Sequence, residues 1–485
     1  MAAATILALL GALLVGLAAA ELAPLAVALA LGEAADVRAF GLGAGTALFF
    51  GVVLLLVGRG TWRRVTRRDA LVLAALGWAG LSLFAALPFA LAGVAPNAPG
   101  AVLEAVSGLT TTGLSVIADP AGAGRSVVLW RALLQWIGGA ATLVFAATLI
   151  PQVGFATRGR RAGASSPERL AEPFRPRFFQ AAQAVLVPYA VLTVLCFMAL
   201  AATGLTSFHA ACYALSTVST GGFSPDRGGP LALGNGMAEM VLILFMAAGA
   251  INFTVHWAAL CGRPRAYGAD PETGFMLLVV ATAAVLLAVL GVAEGAGAIG
   301  AELRRALFQA VSAATTTGYG AGADSGPDPV FVVLVLAGLV LVGGASTSTA
   351  GGIKLGRALL LLRQSVRELE RLAHPHGVVV IKLGRTSITD SAMEAVWAYF
   401  VLFLACLITL ALGLAAVGLD AERSMLLALS AIANTGPLLT GAAGLGGSLA
   451  SLPETAHWLL ALGMLVGRLE LFAVLMLLTP EFWQR

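Results

Sequence analysis

Four short runs of threonine and glycine are the residues of this sequence best suited to chemistry, because they place many oxygen atoms close together. Each run is a small polar residue followed by threonine and glycine, and the copies are Thr111-Thr112-Gly113, Ser219-Thr220-Gly221, Thr316-Thr317-Gly318 and Asn434-Thr435-Gly436. Threonine and glycine are poor helix formers, so we expect extended backbone there. Rings of carbonyl and hydroxyl oxygens can replace the hydration shell of K⁺. The pattern predicts an ion-binding filter built from four copies of one element.

Apolar segments flank each run, and many are about 20 residues long, enough to cross the hydrocarbon core of a bilayer as a helix. The predicted spanning helices are 4–31, 40–58, 70–94, 125–150, 178–203, 233–260, 274–295, 329–352, 391–418 and 455–479. Four shorter segments, each ending at one run, are 99–112, 206–220, 302–317 and 422–435. They are too short to cross. The non-helical backbone after them must therefore be shielded by protein or line a water-filled path.

This order predicts the fold class. We expect an all-α integral membrane protein in which helix, pore half-helix, filter strand and helix repeat four times around a central pore. Two extra transmembrane helices precede the repeats. The corresponding divisions are 1–69 for the leading helices and 70–160, 161–270, 271–385 and 386–485 for the repeats, the third with a broken inner helix.

The composition agrees with a membrane protein and disfavours an enzyme. Hydrophobic residues make up 59% of the chain and charged residues 11%, against about 25% charged residues in soluble domains. The four cysteines have no CxxC spacing, which favours packing roles over metal ligation or disulfides. The sequence contains no Walker A run, HExxH or GxSxG motif. We therefore expect no enzymatic activity, no catalytic residue and no cofactor bound by this chain.

The basic residues predict the orientation of the chain in the membrane. Most of them lie in segments that face the cytoplasm if both termini are cytoplasmic, as the positive-inside rule requires. The arginine- and proline-rich segment 154–177 is predicted to be one such loop. The four runs then face outward. The net charge of +4 fits anchoring at the inner leaflet, so we expect membrane lipid rather than nucleic acid beside the arginines.

The eighth predicted helix is interrupted by the sequence GGASTSTAGGIK at 343–354. The apolar part before it rises only about 20 Å at 1.5 Å per residue, which is short of the ~30 Å core. Gly/Ser/Thr-rich interruptions at membrane depth indicate a substrate path. We predict a loop that closes the pore from the inner side; the alternative is a simple kink. The candidate gate residues are Gly343, Gly344, Ser346, Thr347, Ser348, Thr349, Gly351, Gly352 and Lys354.

Arg468 is the last candidate gate residue, because it lies about midway along the predicted helix 455–479. An arginine at the bilayer centre costs at least ~2.5 kcal/mol on insertion scales, so it should face a cavity or a partner. One interpretation is a structural ion pair, with Glu470 two residues away. The other places the guanidinium in the conduction path below the filter, as an electrostatic barrier to cations.

Two smaller patterns favour packing over chemistry. Asn252 and His256, four residues apart on the sixth predicted helix, are interpreted as a hydrogen-bond node between helices rather than a metal site. The sequence QWIGG at 135–139 is interpreted as close helix packing, in which small residues let backbones approach.

Taken together, the motifs resemble those of a known family. SGLTTTG, STVSTGGFS, TTTGY, NTGP, QWIGG, NFTVH, GGASTSTAGGIK and GRLELF are similar to the motifs of the membrane subunit of bacterial Trk potassium-uptake systems, within the Trk/Ktr/HKT superfamily. The resemblance implies a four-repeat pore in the bacterial inner membrane that passes K⁺ and, to a lesser degree, Na⁺. It also implies an intramembrane gate at the loop matching 343–353 and an arginine below the filter at Arg468.

The resemblance further implies partners. Members are usually homodimers that bind a cytosolic ring of regulatory subunits, and those subunits carry the NAD or ATP/ADP site. Three departures from the family pattern stand out. The usual gate reads close to GGCAGSTGGGIK, whereas Ala345-Ser346-Thr347 replaces its Cys-Ala-Gly portion here; Leu438 stands where the fourth filter usually has glycine; and the glycine usual after QWIGG is missing.

The sequence therefore predicts gated, passive K⁺ uptake. Two transport alternatives stay open: an ion-coupled K⁺ symporter using Na⁺ or H⁺, and the ion-binding subunit of a K⁺ pump. A membrane enzyme is disfavoured because no paired carboxylates, nucleophile constellation or metal cluster emerges.

Overall fold

The chain folds into a bundle of long apolar helices with short helices inserted between them. The structure is a computed structural model that describes residues 3–59, 66–149, 174–293, 299–320, 329–374, 380–384, 386–442 and 448–471. Within these residues, seven helices are long and apolar enough to cross a membrane, or eight if a bent pair counts as one span. The all-α membrane class predicted from sequence is confirmed.

Two leading helices, α1 (Ala3–Leu31) and α2 (Ala34–Val57), pack along each other before the first repeat. Their backbones approach closely where glycines meet. A Cβ added at Gly11 would lie 2.6 Å from the Gly51 carbonyl oxygen, closer than packed atoms allow. Small residues at such crossings let membrane helices gain van der Waals contact.

Four units of similar order follow. The first contains α3 (Arg67–Ala85), α4 (Leu87–Leu91), α5 (Ala98–Leu109) and α6 (Arg125–Leu149); the second contains α7 (Phe174–Ala202), α8 (Ser207–Val218), α9 (Gly236–Ala250) and α10 (Phe253–Leu260). After α11 (Ala266–Ala269), the third contains α12 (Pro271–Ala293), α13 (Ile299–Ala314), α14 (Val330–Val342) and α15 (Leu355–Ala373). An antiparallel pair, β1 (Lys382–Leu383) and β2 (Thr386–Ser387), precedes α16 (Asp390–Ala416), α17 (Ala421–Ile432), α18 (Leu438–Ala442) and α19 (Glu454–Arg468). Single 3-10 turns lie at Ala121–Ala123 and Pro230–Leu233.

The short helices α5, α8, α13 and α17 match the four predicted half-helices. Local sequence fixes the start of three of them, because a side-chain oxygen accepts a bond from a free N–H of the first turn. The accepting side chains are those of Asn97, Thr206 and Asp420. The donors are the N–H groups of Gly100, His209 and Arg423, respectively. Each short helix packs against the long helices of its own unit.

The sixth predicted helix is not continuous, which corrects the span 233–260. α9 and α10 meet at an angle of 100°. Ile251 is extended, and Asn252 caps the new helix by accepting a bond from the Thr254 N–H. The break is stabilised because its free backbone groups bond to residues 343–354: the Ala345 N–H donates to Ala250 O at 2.9 Å, and the Phe253 N–H donates to Thr347 O at 2.9 Å.

Two further predicted spans are interrupted. α14 ends at Val342 instead of 352, and non-helical backbone, here called the inner loop (residues 343–354), leads to α15. α19 ends at Arg468, so this arginine lies in the last turn of a helix and not midway along one. Glu470 follows with a left-handed φ of 52°. The predicted loop 154–177 up to residue 173, the end of the last predicted helix after 471 and the predicted boundaries at 160 and 385 lie outside the described residues.

Candidate functional site

Each short helix ends in a turn of the same unusual shape. Two residues after the helix the backbone enters the left-handed region, at Thr111 (φ 52°), Thr220 (φ 52°), Thr316 (φ 53°) and Asn434 (φ 50°). A left-handed conformation costs a non-glycine residue roughly 1–2 kcal/mol. Its recurrence at the same place in four units means that the surroundings impose it, as happens at functional sites. We call residues 110–113, 219–222, 315–318 and 433–436 the Thr-Gly turns.

The turns correct the alignment of the second copy by one residue. Thr220 has the left-handed φ of Thr111, and Ser219 is the residue that immediately follows its helix, as Thr110 is in the first copy. Gly222 has a φ of 82°, and is therefore the equivalent of Gly113 with its φ of 85°. The sequence alignment was wrong here because two glycines follow Thr220.

The four turns close a ring, because a glycine in each contacts the backbone of a neighbour. At three of these glycines a Cβ would overlap a backbone atom of the next turn; at the fourth it would lie 3.0 Å from Thr317 O and 3.1 Å from Thr112 O. The contacts are Gly113 with Gly221 O, Gly222 with Thr317 O, Gly318 with Gly436 N, and Gly436 with Thr112 O. Backbone atoms from different repeats therefore converge, and at Gly113, Gly222 and Gly318 the space permits only glycine.

The ring opens on one side into a cavity of about 90 Å³. All four repeats line it, through Gly113, Gly222, Gly320 and Pro437 among others. The turns themselves are buried, with the side chains of Thr112, Thr317 and Thr435 fully shielded in this structure. Of the twelve residues predicted for the filter, Gly113 lines this cavity; the second, third and fourth repeats reach it through Gly222, Gly320 and Pro437.

Gln135 fastens the second turn, a role that the packing interpretation of QWIGG missed. Its Nε2 donates to Gly221 O at 2.6 Å, and its Oε1 accepts a bond from the Phe223 N–H at 3.3 Å. Gly138 does pack as expected, because a Cβ there would overlap the Leu109 carbonyl at the end of α5.

A buried ion pair that sequence reasoning missed lies behind the first turn. Arg131 Nε donates to Glu104 Oε1 at 2.7 Å, with side chains 3% and 0% exposed. Glu104 also accepts a bond from the Val116 N–H at 2.9 Å, which fixes the strand after the turn. The one signal in the sequence was a glutamate inside an otherwise apolar short helix.

The inner loop contacts three of the four repeats at or beside the turns, and none of its residues lines the cavity. Thr349 Oγ1 lies 3.2 Å from Val218 O and 3.0 Å from Gly249 O. The Gly351 N–H donates to Thr316 Oγ1 at 2.6 Å, and the Gly352 N–H donates to Ala433 O at 3.1 Å. The loop is therefore hydrogen-bonded to three repeats beside the ring. Of its other candidate residues, Ser346 bonds to Glu272 of α12 and Thr347 to Phe253 of α10. The rest bond within the loop or to its flanks: Gly343, Gly344, Ser348 and Lys354.

Arg468 joins the loop to the first repeat. Its Nε donates to Thr142 Oγ1 at 2.6 Å and its Nη1 donates to Thr349 O at 3.0 Å, while the residue is 5% exposed. Among the described residues Arg468 has no carboxylate within ion-pair distance, and Glu470, the partner suggested from sequence, pairs with Arg357 instead, at 2.5 Å.

Asn252 and His256 do not bond to each other. His256 lies within bonding distance of Ala248 O, at 2.9 Å, and of the Tyr267 hydroxyl, at 2.7 Å. It therefore braces the bend between α9 and α10. Among the described residues, no three or more His, Cys, Asp or Glu side chains are grouped so that they could hold a metal ion.

Comparisons with known proteins agree with this architecture. The TrkH family, described as cation transport protein, matches residues 64–485. The Trk system potassium uptake protein TrkH of Halomonas elongata is 34% identical over 99% of both chains, and that of Salmonella typhimurium is 31% identical over 90% of both. The crystal structure of the potassium transporter TrkH from Vibrio parahaemolyticus superposes with a TM-score of 0.88 at 30% identity, covering 100% of both chains. The chain belongs to the TrkH family of cation transport proteins.

Proposed function

We propose that this chain takes up K⁺ across the bacterial cell membrane through a gated pore, with the ring of Thr-Gly turns as its filter. The observation that carries the proposal is that the turns of four repeats contact one another through their backbones and that all four repeats line one shared opening. Relatives of 31–34% identity that are named as potassium uptake proteins support K⁺ as the transported ion.

The filter acts by replacing water around the ion. With the corrected alignment, the equivalent carbonyls belong to Thr112, Gly221, Thr317 and Thr435, and rings of backbone carbonyls can substitute for the hydration shell of K⁺. The C-terminal ends of α5, α8, α13 and α17 point toward the turns, and their partial negative charge favours a cation. An inside-negative potential contributes about 2.3 kcal/mol per charge per 100 mV toward uptake.

The inner loop and Arg468 form the gate in this proposal. The loop is bonded to the turns and none of its residues lines the cavity, so an ion leaving the filter inward meets a packed backbone. The Arg468 guanidinium adds a positive charge beside Thr349, where water is excluded and charges interact strongly. The twelve filter residues and the ten gate residues named from sequence keep these roles.

The finer assignments follow the family resemblance. We propose both termini in the cytoplasm, the five divisions of the chain given above, a homodimer, and a cytosolic ring of regulatory subunits that binds NAD or ATP/ADP. The relatives' own name, Trk system, supports a complex of several subunits. No cofactor is assigned to this chain, and K⁺ is its cargo.

Uptake of ⁸⁶Rb⁺ by proteoliposomes containing the full chain tests the proposal. We expect uptake that follows the K⁺ gradient and that unlabelled K⁺ suppresses more strongly than Na⁺. A reversal potential that shifts with Na⁺ or H⁺ would favour a coupled symporter, and a requirement for ATP hydrolysis would favour a pump subunit. Absence of uptake with and without the regulatory subunits would reject the proposal.

Replacing Arg468 with alanine tests the electrostatic barrier. We expect basal uptake to rise roughly tenfold, the effect of lowering the barrier by about 1.4 kcal/mol. Arg304→Ala is the matched control, because this arginine pairs with Glu239 at 3.0 Å and does not contact the inner loop. Lower thermal stability with unchanged uptake per folded molecule would instead assign Arg468 a purely structural role.

Replacing Gly351 with alanine tests the loop as a plug. A Cβ at Gly351 would overlap the Ala433 carbonyl, so the loop must withdraw from the fourth turn. We expect severalfold higher uptake without regulatory subunits. Gly338→Ala, on α14, adds the same methyl group where no atom lies within 4 Å, and should leave uptake unchanged. Equal uptake by the two variants would show that the loop does not limit flux.

A further inference from the structure

Glu272, a residue that the sequence analysis did not single out, holds the inner loop from its flank. It lies in the first turn of α12 and is 3% exposed. Its Oε2 accepts a bond from the Ser346 N–H at 2.8 Å, and its Oε1 accepts a bond from the Ser346 hydroxyl at 3.1 Å. One carboxylate therefore accepts hydrogen bonds from both the backbone N–H and the hydroxyl of one loop residue.

Ser346 lies between two loop residues that are themselves hydrogen-bonded to other elements. The residues on either side of it bond to the break between α9 and α10, through the Ala345 N–H and Thr347 O. Across the cluster, a Cβ at Gly356 would lie 2.5 Å from Ser346 Oγ and 2.9 Å from Glu272 Oε1. The first turn of α15 therefore packs directly against both the Glu272 carboxylate and the start of the loop.

The energetics of this contact favour the observed loop position. Hydrogen bonds to a charged acceptor are stronger than neutral ones, so each such bond that a buried carboxylate loses is costly. Withdrawing the loop from the Thr-Gly turns pulls Ser346 away from Glu272 and removes two such bonds at once. The usual family loop has alanine where Ser346 stands, so the hydroxyl bond is an addition in this chain.

We propose that Glu272 is a positioning residue that latches the inner loop in its closed position, and that opening breaks both bonds to Ser346. The inference rests on the proposed function, because it assigns a control element to the same gate. Glu272 does not touch the permeating ion. It sets the fraction of molecules whose loop is withdrawn and leaves the filter unchanged.

The test is ⁸⁶Rb⁺ uptake by the full chain in proteoliposomes without regulatory subunits. Removing charge-assisted bonds shifts the closed-to-open equilibrium, so we expect roughly tenfold higher basal uptake for Glu272→Ala and about threefold for Ser346→Ala. Glu272→Gln keeps an acceptor for the Ser346 N–H and should fall between wild type and Glu272→Ala. The double variant Glu272→Ala/Ser346→Ala should exceed Glu272→Ala by little, because both changes break the same contact.

Glu239→Ala is the matched control. Glu239 is also a buried carboxylate in the first turn of a membrane helix, 2% exposed, but it pairs with Arg304 and not with the loop. We expect its basal uptake to equal that of wild type. The Rb⁺/Na⁺ preference should be the same in every variant, a readout that distinguishes a latch from general loosening of the filter.

Unchanged or lower uptake by folded Glu272→Ala, or effects of the two single changes that multiply in the double variant, would overturn the latch. If Glu272→Ala does not fold, Ser346→Ala decides alone, and unchanged uptake there overturns it. Failure of the proposed function looks different. In that case neither wild type with its regulatory subunits nor Gly351→Ala takes up Rb⁺, and the latch falls with the pore.

Discussion

The structure depends on one constraint: backbone that is not helical inside a membrane must still bond its N–H and C=O groups. Here the irregular segments supply one another's hydrogen-bond partners. The break between α9 and α10 leaves Ala250 O and the Phe253 N–H free, and the inner loop bonds both. The loop's Gly352 N–H in turn bonds Ala433 O at the end of the fourth short helix. The Thr-Gly turns, the bend and the loop are therefore parts of one hydrogen-bonded unit.

Buried charges stand where this unit meets the surrounding helices. The Glu104–Arg131 pair holds the strand after the first turn, and Arg357 pairs with Glu470 while lying 3.9 Å from the centre of the Tyr399 ring. Removing one partner of a buried pair leaves an uncompensated charge, which is strongly destabilising. Such pairs suit positions that must keep one geometry beside irregular backbone.

The sequence predicted those features that local composition determines. Apolar runs gave the long helices, and the low helix propensity of threonine and glycine located the four turns at the ends of short helices. The second copy was aligned one residue too early, because Gly221 and Gly222 are indistinguishable until the left-handed φ of Thr220 is known.

The features that sequence reasoning missed depend on distant contacts. Nothing at Ile251 marks a 100° bend, because its stability comes from bonds to a loop some 95 residues later in the chain. Likewise the Gln135 amide bonds to a turn 86 residues away, and the Glu104–Arg131 pair spans 27 residues. Spacing rules within one helix cannot detect such contacts, since the residues meet only after the repeats have packed.

The central claim is that the ring of Thr-Gly turns binds a dehydrated cation. Anomalous diffraction from crystals grown in Rb⁺ or Tl⁺ tests it most directly, because the heavy ion marks its own position. We predict a peak inside the ring, coordinated by the carbonyls of Thr112, Gly221, Thr317 and Thr435. A protein that takes up Rb⁺ but whose crystals contain no peak in the ring, or hold the ion elsewhere in the bundle, would contradict the account.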